Sequence, residues 1–311
     1  MRIVFMGTPE FAVESLKVLV ENGYEVVGVI TMPDKPAGRG HKLQSSPVKQ
    51  YAIEQGIPVL QPEKLKDENF LQELRALKAD LQIVVAFRML PEVVWDMPSK
   101  GTFNLHASLL PQYRGAAPIN WAVINGEEET GVTTFFLTHE IDTGSLILQE
   151  SIPIEPTDNA GTVHDKLMLL GAGLVRRTVD LIDKGNIDPI EQSTLIDSKA
   201  PLRIAPKLYK ETCELSFTVS VVDVLNKVRG LSPYPTAWAE LLFPGQPEAL
   251  VMKIFDAEAE IVDHNDVPGT VLTDGRKWAK IALKDGYLML KSVQAPARKR
   301  MEIGEFLRGL R

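Results

Sequence analysis

The 311-residue chain carries 34 basic and 41 acidic side chains, a net charge of −7, and 44% hydrophobic residues, the balance of a globular chain long enough for two domains. Its single cysteine, Cys213, excludes a disulfide framework and a thiolate-rich metal site and suits a reducing compartment, so a cytoplasmic protein is expected. No apolar stretch approaches the roughly 18–20 residues of a membrane-spanning helix, and "MRIVFMGTPEF" lacks the pattern of a signal peptide, so no membrane partner is expected.

In chain order, "RIVFMG" is a short apolar run closed by Gly7, which predicts a buried strand ending in a turn. Pro9 and Glu10 suit the first turn of a helix, where a missing N–H costs nothing and an acid faces the positive end. "EVVGVI" predicts a second strand, residues 31–46 a polar loop, and residues 47–55 a helix leading to the short strand "PVL". Residues 65–78 read as an amphipathic helix through Leu71, Leu74 and Leu77. "LQIVVAF" and "GTFNLH" predict strands, residues 115–125 a helix, "GVTTFFL" and "SLILQESIPI" strands, and residues 161–184 a long helix stopped by Gly185. This alternation predicts an α/β fold, a Rossmann-like, doubly wound, mostly parallel sheet over residues 1–188. Residues 189–206 are polar and aperiodic and read as a linker. Over residues 207–311 one helix (219–228) precedes short β-type runs, "AWAELL", "LVMKIFDAEAEIV", "GTVLTD", "WAKIAL" and "YLMLKSVQ", which predict a small OB-like β-barrel.

In open α/β sheets, ligands bind beyond the carboxyl ends of the strands. Asn104 and His106 sit at one such end, and Phe87 and Arg88 at another. The period of 2 puts Asn104 and His106 on the same side of their strand. An amide donor beside an imidazole suits a developing oxyanion, and the imidazole can exchange a proton near neutral pH. The competing reading of His106 is a buried, hydrogen-bonded structural residue. Asp142, in "DTG" between two predicted strands, can orient His106 and favour its protonated form; its competing reading is a simple turn. An aspartic protease would need a second "DTG", and there is none. "GTPE" lacks the glycines of a dinucleotide fingerprint, Ser108 has no G-x-S-x-G elbow, and the five histidines show no metal spacing, so no metal is expected. Three basic runs, residues 33–49, 199–210 and 291–311, can meet a polyanion or be no more than solvated segments.

"NLHASLLPQYRGAAPINW" followed by "ETGVTTFFLTHEIDTGSLI" resembles the N10-formyltetrahydrofolate-dependent formyltransferases, whose signature is Asn-x-His, Ser-Leu-Leu-Pro, then an Asp one strand later. "RIVFMGTPEFA", "PDKPAGRG" with "SPVK", "GLSPYPTAW" and "PGTVL" extend the resemblance over the whole chain to the methionyl-tRNA formyltransferase family. The resemblance implies a catalytic trio of Asn104, His106 and Asp142 and a folate-contacting segment, Ser108, Leu109, Leu110 and Pro111. Phe87, Arg88 and Met89 are assigned to the rim of the folate pocket, where "RMLP" departs from the longer, Gly-containing segment of many relatives. Arg39 falls on the family's tRNA-reading loop; Lys42, Lys207, Arg298, Lys299 and Arg300 are further candidates for tRNA phosphates. The implied co-substrate is 10-formyltetrahydrofolate, the implied partner initiator methionyl-tRNA, and a monomer is expected. A formyltransferase acting on an amino-sugar nucleotide is the alternative, since "APINWAVINGE" is close to the texture of such enzymes. A non-catalytic RNA-binding protein on the same scaffold would have no use for Asn104, His106 and Asp142 together.

Overall fold

The computed structural model describes residues 1–37, 42–196 and 201–310. The chain divides into two compact units, one of Met1–Gly115, Gly131–Ile152 and His164–Ile204, the other of Ala116–Thr130, Pro153–Val163 and Ala205–Arg311.

The chain opens with β1 (Arg2–Gly7), α1 (Glu10–Glu21), β2 (Glu25–Ile30), β3 (Lys35–Ala37), β4 (Lys42–Gln44), α2 (Pro47–Glu54) and β5 (Val59–Leu60). It continues through α3 (Glu68–Ala76), β6 (Leu81–Val85), α4 (Glu92–Trp95), β7 (Thr102–His106), β8 (Arg114–Gly115) and α5 (Pro118–Ile124), then β9 (Glu129–Phe136), β10 (Leu146–Pro153) and α6 (Ala160–Lys184). The main sheet of the first unit has the order β10-β9-β7-β6-β1-β2-β5. The strands from β7 to β5 pair in parallel, and β9 joins β7 antiparallel. Buried on both faces, β1 and β6 are apolar apart from Arg2 at the start of β1 and the buried Gln82 in β6, close to the continuous apolar pattern of interior parallel strands. The chain winds one way through β1, β2 and β5, then crosses to β6 and β7 on the other side. That reversal lies between β1 and β6, where a doubly wound sheet opens a crevice.

Several boundaries move for identifiable reasons. The helix expected from Leu65 begins at Glu68, because the Asp67 side chain accepts the Phe70 N–H at 3.2 Å, while Leu65 is buried ahead of the cap. The strand "LQIVVAF" stops at Val85, since Ala86 turns into the left-handed region at φ 48°. The helix expected over 115–125 starts at Pro118, which supplies a first turn with no N–H to satisfy. The expected 31–46 loop contains the β3–β4 hairpin. Along β7, side chains alternate. Leu105 faces α6, where a Cβ on Gly171 would come within 2.7 Å of its Cδ2, so Asn104 and His106 face the other way.

After α6 come a short 3-10 turn (Gln192–Leu195), β11 (Ile204–Ala205), a second such turn (Glu211–Cys213) and α7 (Val221–Leu231). Then follow β12 (Ala237–Leu241), β13 (Leu250–Ile261), β14 (Val271–Thr273), β15 (Ala279–Leu283), β16 (Gly286–Gln294), β17 (Met301–Glu302) and α8 (Ile303–Arg308). In the second unit the expected barrel takes the form of a curled antiparallel half-barrel, β12-β13-β16-β15-β14, with β17 added to β16. The register of the 12-residue β13 shifts between Ile254 and Ala257, which lets one long strand bend around the core. Met252, Ile281, Leu288, Val293 and Phe306 fill that core. α7 starts at Val221, not Val219, because the Ser220 side chain accepts the Asp223 N–H at 3.1 Å. α8 and β17 were not anticipated: the surrounding basic residues masked Ile303, Phe306 and Leu307, which are buried at helical spacing. Among the described residues, no helix is long and apolar enough to cross a membrane.

Candidate active site

β7 delivers Asn104 and His106, two residues apart, at the carboxyl edge of the parallel sheet, with Asn104 opposite Val84 of β6 and His106 opposite Thr133 of β9. His106 is 7% exposed. Its Nε2 lies 2.9 Å from the Tyr113 carbonyl oxygen, and a carbonyl only accepts, so Nε2 carries the hydrogen. Nδ1 is therefore the ring nitrogen left for chemistry. It lies 3.9 Å from Asp142 Oδ2, an ion-pair separation beyond direct hydrogen-bond reach. The Gly115 N–H donates to the same Oδ2 at 2.9 Å and holds the carboxylate in place. Asn104 is half-buried, and among the described residues its side-chain amide has no hydrogen-bond partner.

The loop that carries Asp142 is tightly built. Asp142 is in the left-handed region at φ 56°, which Asp tolerates better than most residues. Gly144 has no room for a side chain: a Cβ there would lie 1.7 Å from the Phe136 carbonyl oxygen.

The segment after β7 is pinned from β9 and β10. Thr133 Oγ1 accepts the Leu110 N–H at 3.2 Å and donates to the Ser108 carbonyl at 2.7 Å, and Gln149 Nε2 donates to the Leu110 carbonyl at 2.9 Å. Ser108 is fully buried, its hydroxyl donating to the Gln112 carbonyl at 2.7 Å. With these polar groups satisfied internally, Leu109 stays partly exposed, its Cδ2 lying over Gly131 of β9, while Leu110 and Pro111 are buried. On the neighbouring strand end, Phe87 packs against the core cluster of Val4, Met6 and Val84, and Met89 is 73% exposed. The Arg88 guanidinium donates to the Pro62 carbonyl and, at 2.8 Å, to the Glu63 carbonyl, and burial lowers its pKa from the ordinary value. Its donors thus tie this rim to the segment after β5.

Residues 1–178 match the Formyl transferase family, and residues 207–311 match the Formyl transferase C-terminal domain. The chain is 63% identical to the methionyl-tRNA formyltransferase of Bacteroides thetaiotaomicron, over 100% of this chain and 96% of that protein. The chain belongs to the methionyl-tRNA formyltransferase family. Solved structures similar in fold are more distant. HypX from Aquifex aeolicus, in complex with tetrahydrofolic acid, is 20% identical with a TM-score of 0.65, over 99% of this chain and 48% of that protein. An N-formyltransferase from Helicobacter canadensis, in complex with folinic acid and dTDP-3-aminofucose, is also 20% identical with a TM-score of 0.67, over 94% of this chain and 98% of that protein.

Among the residues assigned to tRNA by resemblance, Arg39 lies outside the described residues, and Lys42 begins β4 of the hairpin. Lys207, Arg298, Lys299 and Arg300 are exposed on the second unit. Lys207 Nζ stands 5.6 Å from the Tyr209 ring centre, and the Arg300 guanidinium 4.6 Å from that of Phe255. Asp34 anchors the foot of the hairpin, accepting from Lys49 Nζ at 2.7 Å and Gln61 Nε2 at 2.8 Å. The hydrogen bond from Lys49, then that from Gln61, lowers the Asp34 pKa from its ordinary 3.8. A depressed carboxyl pKa stabilises the anchor fully above about 3.8 and loses it as pH falls through the lower folded value. Amide protection across residues 35–37 and 42–44 is therefore expected to fall in strong acid, and Asp34→Ala to reproduce that loss at pH 7, as hydrogen exchange would read.

Sequence reasoning missed the Tyr113 carbonyl, Thr133, Gln149, Gly144 and Gln192. Gly144 left a trace in "DTG", but the others carry no local pattern. Gln192 lies in the aperiodic segment read as a linker, where Ile190 in fact exchanges backbone hydrogen bonds with Leu146 at the start of β10.

Proposed function

We propose that this protein transfers the formyl group of 10-formyltetrahydrofolate to the α-amine of methionine on initiator methionyl-tRNA, as a cytoplasmic monomer and without a metal. The observation that carries this reading is the unpartnered Asn104 amide beside a His106 ring held by Tyr113 at one nitrogen and open at the other. The Asn104 amide donates to the oxygen that gains charge as the amine adds to the formyl carbon. His106 Nδ1 faces the same atom and, with a proton on it, gives a second donor; each such donor contributes about 3–4 kcal/mol to the transition state. Asp142, beside that nitrogen, takes up through water the proton shed by the attacking amine and returns it to the folate N10 as the carbon–N10 bond breaks and the carbonyl re-forms. Leu109 and the strand end at Phe87–Met89 hold the pterin, and basic residues of the hairpin and second unit meet the tRNA backbone.

The test supplies 10-formyltetrahydrofolate with either charged initiator tRNA or an amino-sugar nucleotide and follows formyl transfer. Transfer to the tRNA is expected. Transfer to the sugar alone would overturn the reading in favour of the alternative. Arg39→Ala is expected to raise KM for the tRNA more than KM for folate and to flatten the dependence of tRNA KM on salt. Equal effects on both substrates would remove Arg39 from tRNA recognition.

A further inference from the structure

Gln192 is 1% exposed, and its amide makes four hydrogen bonds. Nε2 donates to the Asp142 carbonyl at 2.9 Å and the Gly144 carbonyl at 2.8 Å. Oε1 accepts from Arg114 Nε at 3.0 Å and Arg114 Nη2 at 2.6 Å. One side chain thereby ties together two separate stretches, residues 142–144 and residue 114. These stretches supply the two partners of the bond that holds the Asp142 carboxylate, Oδ2 on one and the Gly115 N–H on the other. The backbone of residues 190–192 is fixed in turn, by the Ile190–Leu146 pair of hydrogen bonds and by Ser145 Oγ donating to Glu191 Oε1 at 2.7 Å.

We infer that Gln192 is a positioning residue for the reaction, acting only through Asp142 by keeping its carboxylate on Gly115 and 3.9 Å from His106 Nδ1. The inference rests on the proposed reading of Asn104, His106 and Asp142. An amide is required for chemical reasons. The two loop carbonyls only accept and the guanidinium only donates, so the bridging group must have both kinds of end. Glutamate preserves the shape and the Arg114 contacts but aims an oxygen at two carbonyls. Methionine preserves approximate volume and offers neither end. Once the bridge is lost, the Asp142 loop is free to leave Gly115, and the carboxylate loses the fixed place beside Nδ1 from which it receives the amine's proton.

The experiment compares Gln192→Met, Gln192→Glu, Asp142→Ala and the double variant Gln192→Met/Asp142→Ala in the full-length protein, measuring kcat and both KM values. Gln192→Met is expected to lower kcat about 10- to 100-fold, the scale of an ångström-level misplacement, with both KM values within about twofold. The double variant is expected to be no slower than Asp142→Ala alone, because a residue acting only through Asp142 has nothing further to lose. Losses that multiply, or a KM effect equal to the kcat effect, would show a general structural role and overturn the inference. If Gln192→Met does not fold, Gln192→Glu carries the same kcat expectation. A large loss in Asp142→Ala with normal kcat in the Gln192 variants overturns the inference alone. Normal kcat in Asp142→Ala overturns the reading of the site together with it.

Discussion

Asn104→Ala is expected to lower kcat for formyl transfer by about 10²–10³-fold, the loss typical of removing one oxyanion donor. The melting temperature should barely move. The Asn104 amide has no partner among the described residues, so its removal orphans nothing inside the protein. His106→Ala should lower kcat at least as much but also cost about 1–3 kcal/mol of stability, because the Tyr113 carbonyl loses the donor it holds at 2.9 Å. Asn104→Asp is a sharper case. It is isosteric, yet it exchanges the donor for a negative charge beside the atom that becomes negative, so it should be slower than Asn104→Ala. KM for initiator tRNA should stay near the parent value in all three, since the phosphate contacts proposed above lie on other residues. Turnover, both KM values and thermal melting check each statement. An Asn104→Ala enzyme with unchanged kcat would remove Asn104 from the chemistry.

Gly144→Ala should be nearly as damaging, though residue 144 has no reactive group. The added methyl would meet the Phe136 carbonyl oxygen at 1.7 Å and its carbon at 2.9 Å. Both atoms are backbone at the end of β9, where the Phe136 N–H also bonds the Ser145 carbonyl, so neither side can yield alone. The loop must open instead, carrying Asp142 away from Gly115. About 1–3 kcal/mol of stability should be lost to the overpacking, and kcat should fall toward that of Asp142→Ala. Gly173→Ala is the counterpart. Gly173 is exposed in α6 with nothing within 4 Å of an added Cβ, so the substitution should stabilise by about 0.5–1 kcal/mol at full activity. Thermal melting of the two variants beside the parent decides both; equal melting temperatures would contradict the geometry of the 137–145 loop.

Much of the fold was legible because its signals are local. A short apolar run closed by Gly7 marked β1, and the helical spacing of Leu71, Leu74 and Leu77 marked α3. The caps Asp67 and Ser220 did not stand out, because the flanking apolar Leu65 and Val219 draw each helix start earlier, and only the realised hydrogen bond decides the first helical residue. The β3–β4 hairpin and α8 escaped because each is short and its polar or basic residues dominate the pattern.

The order of residues alone determined that Asn104 and His106 share one face at a strand end, because a strand alternates its side chains whatever surrounds it. It also determined that a carboxylate follows at Asp142 in a turn. Tertiary structure alone decided which imidazole nitrogen is free, since that depends on the Tyr113 carbonyl, and a carbonyl is the same atom pair in every residue type. It alone decided that Asp142 rests on Gly115 and that Gln192, 50 residues further on, ties that loop down. These are contacts between backbone groups and distant side chains, and nothing in the local pattern of a chain records which backbone a side chain will meet.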